Sequence, residues 1–201
     1  MKLSILIPVI PQHELAFVWL RGHLQNQLVD GVEILSEHGP AFKDGGVSTG
    51  RKRQSLLERS AGDYIVFIDA DDSVPEYYVS EMLAACASGA DCFAINGVMT
   101  TDGRDEIKWR ISKDYINPGV IHPATKRIVQ DDYRENGKHV YLRRTNHITG
   151  VKKEIALAAG FPDKSNAEDK YYSDRLILNT EYKIERPMYE YRFTTKNKSY
   201  K

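Results

Sequence analysis

Residues 62–73 read Gly-Asp-Tyr-Ile-Val-Phe-Ile-Asp-Ala-Asp-Asp-Ser, and this stretch decides the fold. Tyr64 to Ile68 is apolar throughout, the signature of a strand covered on both faces, as in a parallel sheet lying between layers of helices. Asp69, Asp71 and Asp72 follow at once. Charge therefore arrives at the carboxyl end of a buried strand, where an open α/β sheet holds its ligand.

The same alternation extends outward from this strand. Leu3 to Pro8 is a second continuous apolar run, closed by proline, and reads as a central strand. Phe17, Leu20, Leu24 and Leu28 recur at helical spacing between Gln12 and Leu28, Asp30-Gly31 breaks the chain, and Val32 to Leu35 is a strand. A helix from about Ser48 to Ala61 leads into the deciding stretch; another, about Val74 to Ser88, leads out of it to a strand from Cys92 to Val98. The fold class expected is α/β, with a mostly parallel, doubly wound sheet and helices on both faces. Further on, Thr100-Thr101-Asp102-Gly103 marks a turn between strands over Ala94 to Met99 and Glu106 to Ile111, while Asn117 to Arg144 follows no simple period. Helices are expected at Lys153 to Ala159 and Asn166 to Leu178, short strands near Tyr182 to Ile184 and Met188 to Phe193, and a mobile basic tail from Thr194 to Lys201.

The chain's 201 residues suit one domain: 1–98 reads as the ligand-binding half and 99–201 as a second half. A formal net charge of +0 gives no global pull toward nucleic acid or anionic membrane, and no apolar run nears the roughly 18 residues of a membrane span. Cys86 and Cys92 match neither a metal spacing nor a disulfide framework, so a cytoplasmic location is expected.

Three sites carry chemistry. In the acidic cluster, Ser73 and Glu76 have capping-box spacing, which leaves Asp69, Asp71 and Asp72 to repel one another unless a cation or donor groups compensate them. Oxygen ligands of this kind suit Mg²⁺ or Mn²⁺. A calcium loop does not fit, because counting from Asp69 puts Val74 where the turn glycine belongs and Ser80 where the bidentate glutamate belongs. Next, Gly50-Arg51-Lys52-Arg53 opens a helix with cations, against the partial positive charge of a first turn. An anion such as a pyrophosphate on Arg53 and Lys52 would resolve that; a solvated basic patch is the plainer alternative. Lastly, Ser165 and Glu168 form a second capping-box pattern, leaving Asp169 as a carboxylate available for general-base work or for mild first-turn stabilisation.

With these sites in order, the chain resembles the family 2 glycosyltransferases of the GT-A (nucleotide-diphospho-sugar transferase) fold, particularly short bacterial and phage-type members. The likeness rests on Leu3 to Pro8, on Val32-Glu33-Ile34-Leu35, on GRKRQSLLERSAGDY at 50–64, on VFIDADD at 66–72 and on GFPDKSNAEDKYYSDRL at 160–176. It implies that Asp69 and Asp71, with Asp72 adjacent, contact the donor ribose and a metal ion, Mn²⁺ or Mg²⁺. It also implies that 1–98 binds the nucleotide sugar, that 99–201 forms the acceptor side, and that Glu168 and Asp169 flank the acceptor, with Asp169 the preferred base. Pro8 would border the nucleobase. Ser36-Glu37-His38-Gly39 stands where many members carry consecutive aspartates, so Glu37 takes the base-contacting place and a UDP-sugar is the expected donor.

The implied reaction is a metal-assisted displacement that inverts configuration, with a carbohydrate, lipid or protein acceptor. Histidines 13, 23, 38, 122, 139 and 147 show no metal spacing; His147 alone is a candidate for the acceptor or diphosphate, and Tyr171 and Tyr172 are candidates for sugar stacking or for packing. Two enzyme classes share features. Haloacid-dehalogenase-type phosphatases place Asp-x-Asp after the first strand, and sugar nucleotidyltransferases carry a glycine-rich loop where this chain has Pro8-Val9-Ile10-Pro11. A nucleotide-sugar-binding module without transferase activity is the non-enzymatic alternative.

Overall fold

The computed structural model describes residues 2–115 and 134–193. The chain runs β1 (Leu3–Val9), α1 (Glu14–Gln25), β2 (Val32–His38), α2 (Thr49–Arg59), β3 (Tyr64–Phe67), α3 (Tyr78–Ala87), β4 (Cys92–Thr101), β5 (Arg104–Ser112), β6 (Arg134–Glu135), β7 (Lys138–Arg144), β8 (Val151–Lys152), α4 (Lys153–Ala159), α5 (Glu168–Arg175) and β9 (Glu181–Phe193). Short 3₁₀ turns at Pro11–His13 and Phe42–Asp44 precede α1 and α2.

The expected α/β sheet, with helices on both faces, is present. β1 pairs in parallel with β2, from Leu3↔Val32 to Val9↔His38, and with β3, from Leu3↔Tyr64 to Leu6↔Phe67. Period-two alternation divides the packing. Leu3, Ile5, Ile7 and Val9 join a core with Phe17, Leu20 and Leu24 of α1 and Tyr78, Val79 and Met82 of α3. Leu6 joins another with Leu56 and Leu57 of α2, Ala156 and Ala159 of α4 and Tyr172 of α5. At about 1.5–3 kcal/mol per fully buried aliphatic or aromatic side chain, these layers carry the apolar stabilisation of the sheet.

Beyond β3 the sheet is mixed. β4 does not sit directly beside β3, because the two residues of β8 come between them, antiparallel to both. Backbone bonds from Phe93 N–H to Gly150 O (2.9 Å) and Lys152 N–H to Asp91 O (3.0 Å) fill that gap. β4 then pairs antiparallel with β5 and parallel with β9, and β5 pairs parallel with β7. Asp102 and Gly103 both have positive φ (49° and 73°), the two-residue geometry that joins right-twisted strands, and they close the β4–β5 hairpin where a turn was expected.

Several boundaries differ from expectation. β2 extends through Ser36, Glu37 and His38, so Glu37 lies within the strand beside its register partner Pro8. Met188 to Phe193 is not a separate strand: β9 is continuous from Glu181, with irregular register near Pro187, which lacks the N–H a regular ladder needs. Helix α3 starts at Tyr78, and Ser73 does not cap it; Ser73 instead exchanges backbone bonds with Glu190 of β9. The expected tail from Thr194 to Lys201, His122 and most of the unpatterned region lie outside the described residues. Among the described residues no helix is long and apolar enough to cross a membrane.

Candidate functional site

The carboxylates just past β3 diverge, and each meets its own partner. Asp69 receives a bond from Arg53 Nη2 (2.7 Å) and lies 3.4 Å from His147 Nε2. Burial opposes its charge, but Arg53 and His147 outweigh burial and hold the carboxyl well below the usual range. Asp72 turns inward, accepting from the Tyr189 hydroxyl (2.7 Å) and the Arg192 amide (2.9 Å); burial and the neighbouring Asp69 push its pKa up to about 8. The same Tyr189 hydroxyl accepts the Asp69 amide at 3.1 Å, so β9 braces both residues. Asp71 stays partly exposed, 3.3 Å from His13 Nδ1 at the end of the first 3₁₀ turn, and burial raises its carboxyl. The repulsion expected among these aspartates is thus relieved largely by donor groups of the protein itself.

The cations opening α2 are likewise met internally. Ser48 caps the helix by accepting the Arg51 amide (3.1 Å) while donating to Asp163 (2.5 Å). The Gly50 amide donates to Lys164 O (2.9 Å), and a Cβ at Gly50 would lie 2.0 Å from Pro162 O, so only glycine lets the 160–166 loop cross here. The loop thus takes the Gly50 amide, while Ser48 takes the amides of Arg51 and Lys52. Lys52 is buried and donates to Val9 O (3.2 Å) and Gly39 O (2.5 Å), tying the ends of β1 and β2 together; burial lowers its pKa. Arg53, 5% exposed, bridges Asp69 and Glu168, the latter at 2.6 Å.

Glu168 does not cap α5. The N-cap is Ala167 in the left-handed region (φ 58°), with no side-chain cap, and Glu168 points inward to Arg53 because a buried carboxylate needs a charged partner. Its pKa is raised by burial, with Arg53 acting in the opposite direction. The strain of a left-handed alanine, about 1–2 kcal/mol, falls immediately before the acidic pair. Asp169, half-buried, keeps its side chain at the surface, where it accepts the Lys170 amide (2.8 Å).

These segments meet over one cleft of about 760 Å³, which Arg53, Asp69, Asp72, His147, Glu168 and Asp169 all line. Asp71, Lys52, Pro8 and Glu37 do not line it; Asp71 faces His13, and the other three lie toward the ends of β1 and β2, where Glu37 pairs with Arg59 at 2.7 Å. Trp109, Tyr141, Tyr189 and Tyr191 complete the cleft and were missed by sequence reasoning. The only signal for them was the two-residue spacing of Tyr189 and Tyr191 on one strand face. Tyr172, by contrast, is core, stacked 4.2 Å from Phe161, and Tyr171 is exposed beneath Lys164.

Among the described residues no group of three or more His, Cys, Asp or Glu is arranged to hold a metal ion. Asp72 is buried at 3% exposure with both oxygens accepting bonds from β9, which sets it apart from Asp69 and Asp71, whose side chains are 30% and 31% exposed. The remaining donors, Asp69 and Asp71, are partly exposed carboxylates, and they fit Mg²⁺ or Mn²⁺, which bind through one or two carboxylates completed by water and phosphate oxygens.

A sequence profile described as glycosyl transferase family 2 matches residues 44–155. No curated protein sequence matches the chain. Among solved structures, S. aureus TarS 1–349 matches at TM-score 0.62 and 13% identity, over 96% of this chain and 60% of that one. Its complex with UDP-GlcNAc gives 0.63 and 13%, over 96% and 58%. The chain thus spans about three fifths of that TarS fragment. Glucosyl-3-phosphoglycerate synthase from Mycobacterium tuberculosis, in complex with Mn²⁺, UDP and glucosyl-3-phosphoglycerate, matches at 0.50 and 13%, over 96% and 70%. At such identity the shared property is the fold.

Proposed function

The chain belongs to glycosyl transferase family 2, and we propose that it moves a sugar from a UDP-sugar to an acceptor hydroxyl with inversion at the anomeric carbon. The observation that carries this reading is the single cleft shared by Asp69 and Asp169, two acidic segments joined through Arg53 and Glu168. The names of the structural neighbours, one bound to UDP-GlcNAc and one to UDP with Mn²⁺, support the choice of donor.

In this reading Pro8 and Glu37, adjacent in register, border the nucleobase, and Lys52 shapes that edge through the carbonyls it holds. Asp69 and Asp71 serve the ribose and a divalent ion, and Arg53 faces the diphosphate while keeping Asp69 in place. A bound Mg²⁺ or Mn²⁺ supplies charge compensation for the departing diphosphate. Asp169 takes the proton of the acceptor hydroxyl as its oxygen forms the bond to the anomeric carbon; the bond from that carbon to UDP breaks, and UDP leaves with the electron pair. Glu168, engaged by Arg53, positions the segment rather than accepting the proton. The buried free thiols of Cys86 and Cys92 suit a cytoplasmic setting.

UDP release from UDP-GlcNAc and UDP-glucose, with water standing in for the acceptor hydroxyl, tests the assignment. Asp169→Asn should lower the rate by roughly 10²–10⁴-fold, the usual range for a general base, and Glu168→Gln by less. A near-normal rate in Asp169→Asn would remove Asp169 from the mechanism.

A further inference from the structure

Helix α1 carries apolar residues on two opposite faces. Phe17, Leu20 and Leu24 are buried against the sheet. Leu15, Val18 and Trp19, related as i, i+3 and i+4 on the other side, are 88%, 61% and 54% exposed. A helix that is apolar all round belongs in a buried setting, and the chain itself covers one side of this one.

Gly22 continues the outer stripe, seven residues after Leu15 and three after Trp19. Nothing among the described residues requires a glycine there: its φ is not positive, and a Cβ would meet no atom within 4 Å. Glycine inside a helix is destabilising relative to alanine, so its place on this face suits close approach by a group from outside the chain.

The stripe is complementary to itself. In an antiparallel pair of α1 helices, related by a two-fold axis between positions 18 and 19, Leu15 of one copy lies opposite the Gly22 gap of the other. Val18 then meets Val18, and Trp19 meets Trp19. Stacking on His23, with ring centres 5.5 Å apart and planes within 3°, holds Trp19 in place. Charge agrees with this pairing. Glu14 and Arg21 lie on the same flank of the stripe, so the two-fold axis sets Glu14 of each copy beside Arg21 of the other. Arg21 is exposed with no ion pair among the described residues, and Glu14 meets His38 through Oε2 alone at 3.2 Å. A flank of mixed sign fits a second copy better than an anionic bilayer, which selects for cations.

We propose that the outer face of α1 is a self-association surface through which two copies of this chain pair antiparallel in solution. The contact is independent of the transferase reading. With three large apolar side chains from each copy, it falls among small, weak interfaces.

Sedimentation velocity of the full chain from about 1 to 500 µM tests the proposal, with a dimer of Kd roughly 10–100 µM expected. Tryptophan emission gives a second readout, because the chain has two tryptophans, Trp109 buried and Trp19 exposed. Dilution should move the emission to longer wavelength as Trp19 returns to water. Gly22→Leu should keep or raise the melting temperature yet weaken the dimer about tenfold or more, since it fills the gap that Leu15 enters. A merely adhesive patch would associate more tightly with the added leucine. Arg21→Glu should weaken the dimer about tenfold, and adding Glu14→Arg to it should restore the affinity, which identifies the antiparallel arrangement. The proposal is overturned by a chain that stays monomeric throughout, including one that instead binds phosphatidylglycerol vesicles with a Trp19 emission shift. A dimer whose emission ignores dilution, undiminished association in Gly22→Leu, or a double charge reversal that restores nothing would each overturn it as well. Should Gly22→Leu fail to fold, the charge-reversal pair at exposed positions decides the question alone.

Discussion

Asp72 at the end of β3 and Glu168 at the start of α5 are both carboxyl groups turned into the protein, but they are met differently. Asp72 is held by neutral donors, the Tyr189 hydroxyl and the Arg192 amide, so burial and Asp69 prevail and its pKa rises to about 8. Glu168 is held by the full charge of Arg53 at 2.6 Å. The first arrangement sets a carboxyl against neutral donors, whereas the second pairs one with a cation that also reaches Asp69 across the cleft. In each segment a sequence neighbour, Asp71 or Asp169, is left partly exposed. Adjacent carboxylates are thus sorted by what the fold places behind them, which their spacing does not reveal.

Removing the element that joins the segments should have the largest effect on the fold. Arg53→Ala strands two carboxylates, one of them fully inside, and should cost about 3–5 kcal/mol in urea unfolding, the range for breaking a buried pair. Arg53→Lys retains charge but lacks the fork that spans both partners, and should recover only part of the loss. A cost under about 1 kcal/mol would mean that the two segments are energetically independent.

Asp91 provides a sharper contrast, as a carboxylate used wholly by the fold. It accepts the Asn179 amide (2.9 Å), the Thr180 amide (3.1 Å) and Lys152 Nζ (3.0 Å), anchoring the entry to β9. Burial works against its charge, but these donors prevail and hold the pKa at about 2. A depressed carboxyl stabilises the folded state above its unfolded pKa of about 4, and that contribution is lost as pH falls toward about 2. Asp91→Asn should therefore cost about 1–2 kcal/mol at pH 7, with solvent screening included, and should flatten the acid limb of stability between about pH 4 and 2. An unchanged acid limb would assign that titration elsewhere.

What could be read in the sequence was local. The apolar runs of β1 and β3, the Asp102-Gly103 turn and the helix from Lys153 to Ala159 follow from periodicity and turn chemistry, and all are present. The two residues of β8 carry too little pattern to be seen, and their place between β3 and β4 is set by the return of the chain after β7. The Ser73–Glu76 and Ser165–Glu168 spacings resemble caps, yet Ser73 joins β9 and Glu168 joins Arg53, because tertiary partners outcompeted the local bonds. The cleft residues Trp109, Tyr141 and Tyr189 meet only through registers across β4, β5, β7 and β9, which span residues 92 to 193, so no short window of the chain contains them.

Calorimetric titration of UDP with Mn²⁺ into the wild-type chain, Asp71→Asn and Asp169→Asn tests most directly the central claim, that the segment after β3 serves the donor and the segment at α5 serves the acceptor. The account predicts that Asp71→Asn weakens UDP about tenfold, with the wild type weakened similarly by a chelator, while Asp169→Asn binds UDP normally. Unchanged affinity in Asp71→Asn, together with a loss in Asp169→Asn, would contradict that division of labour.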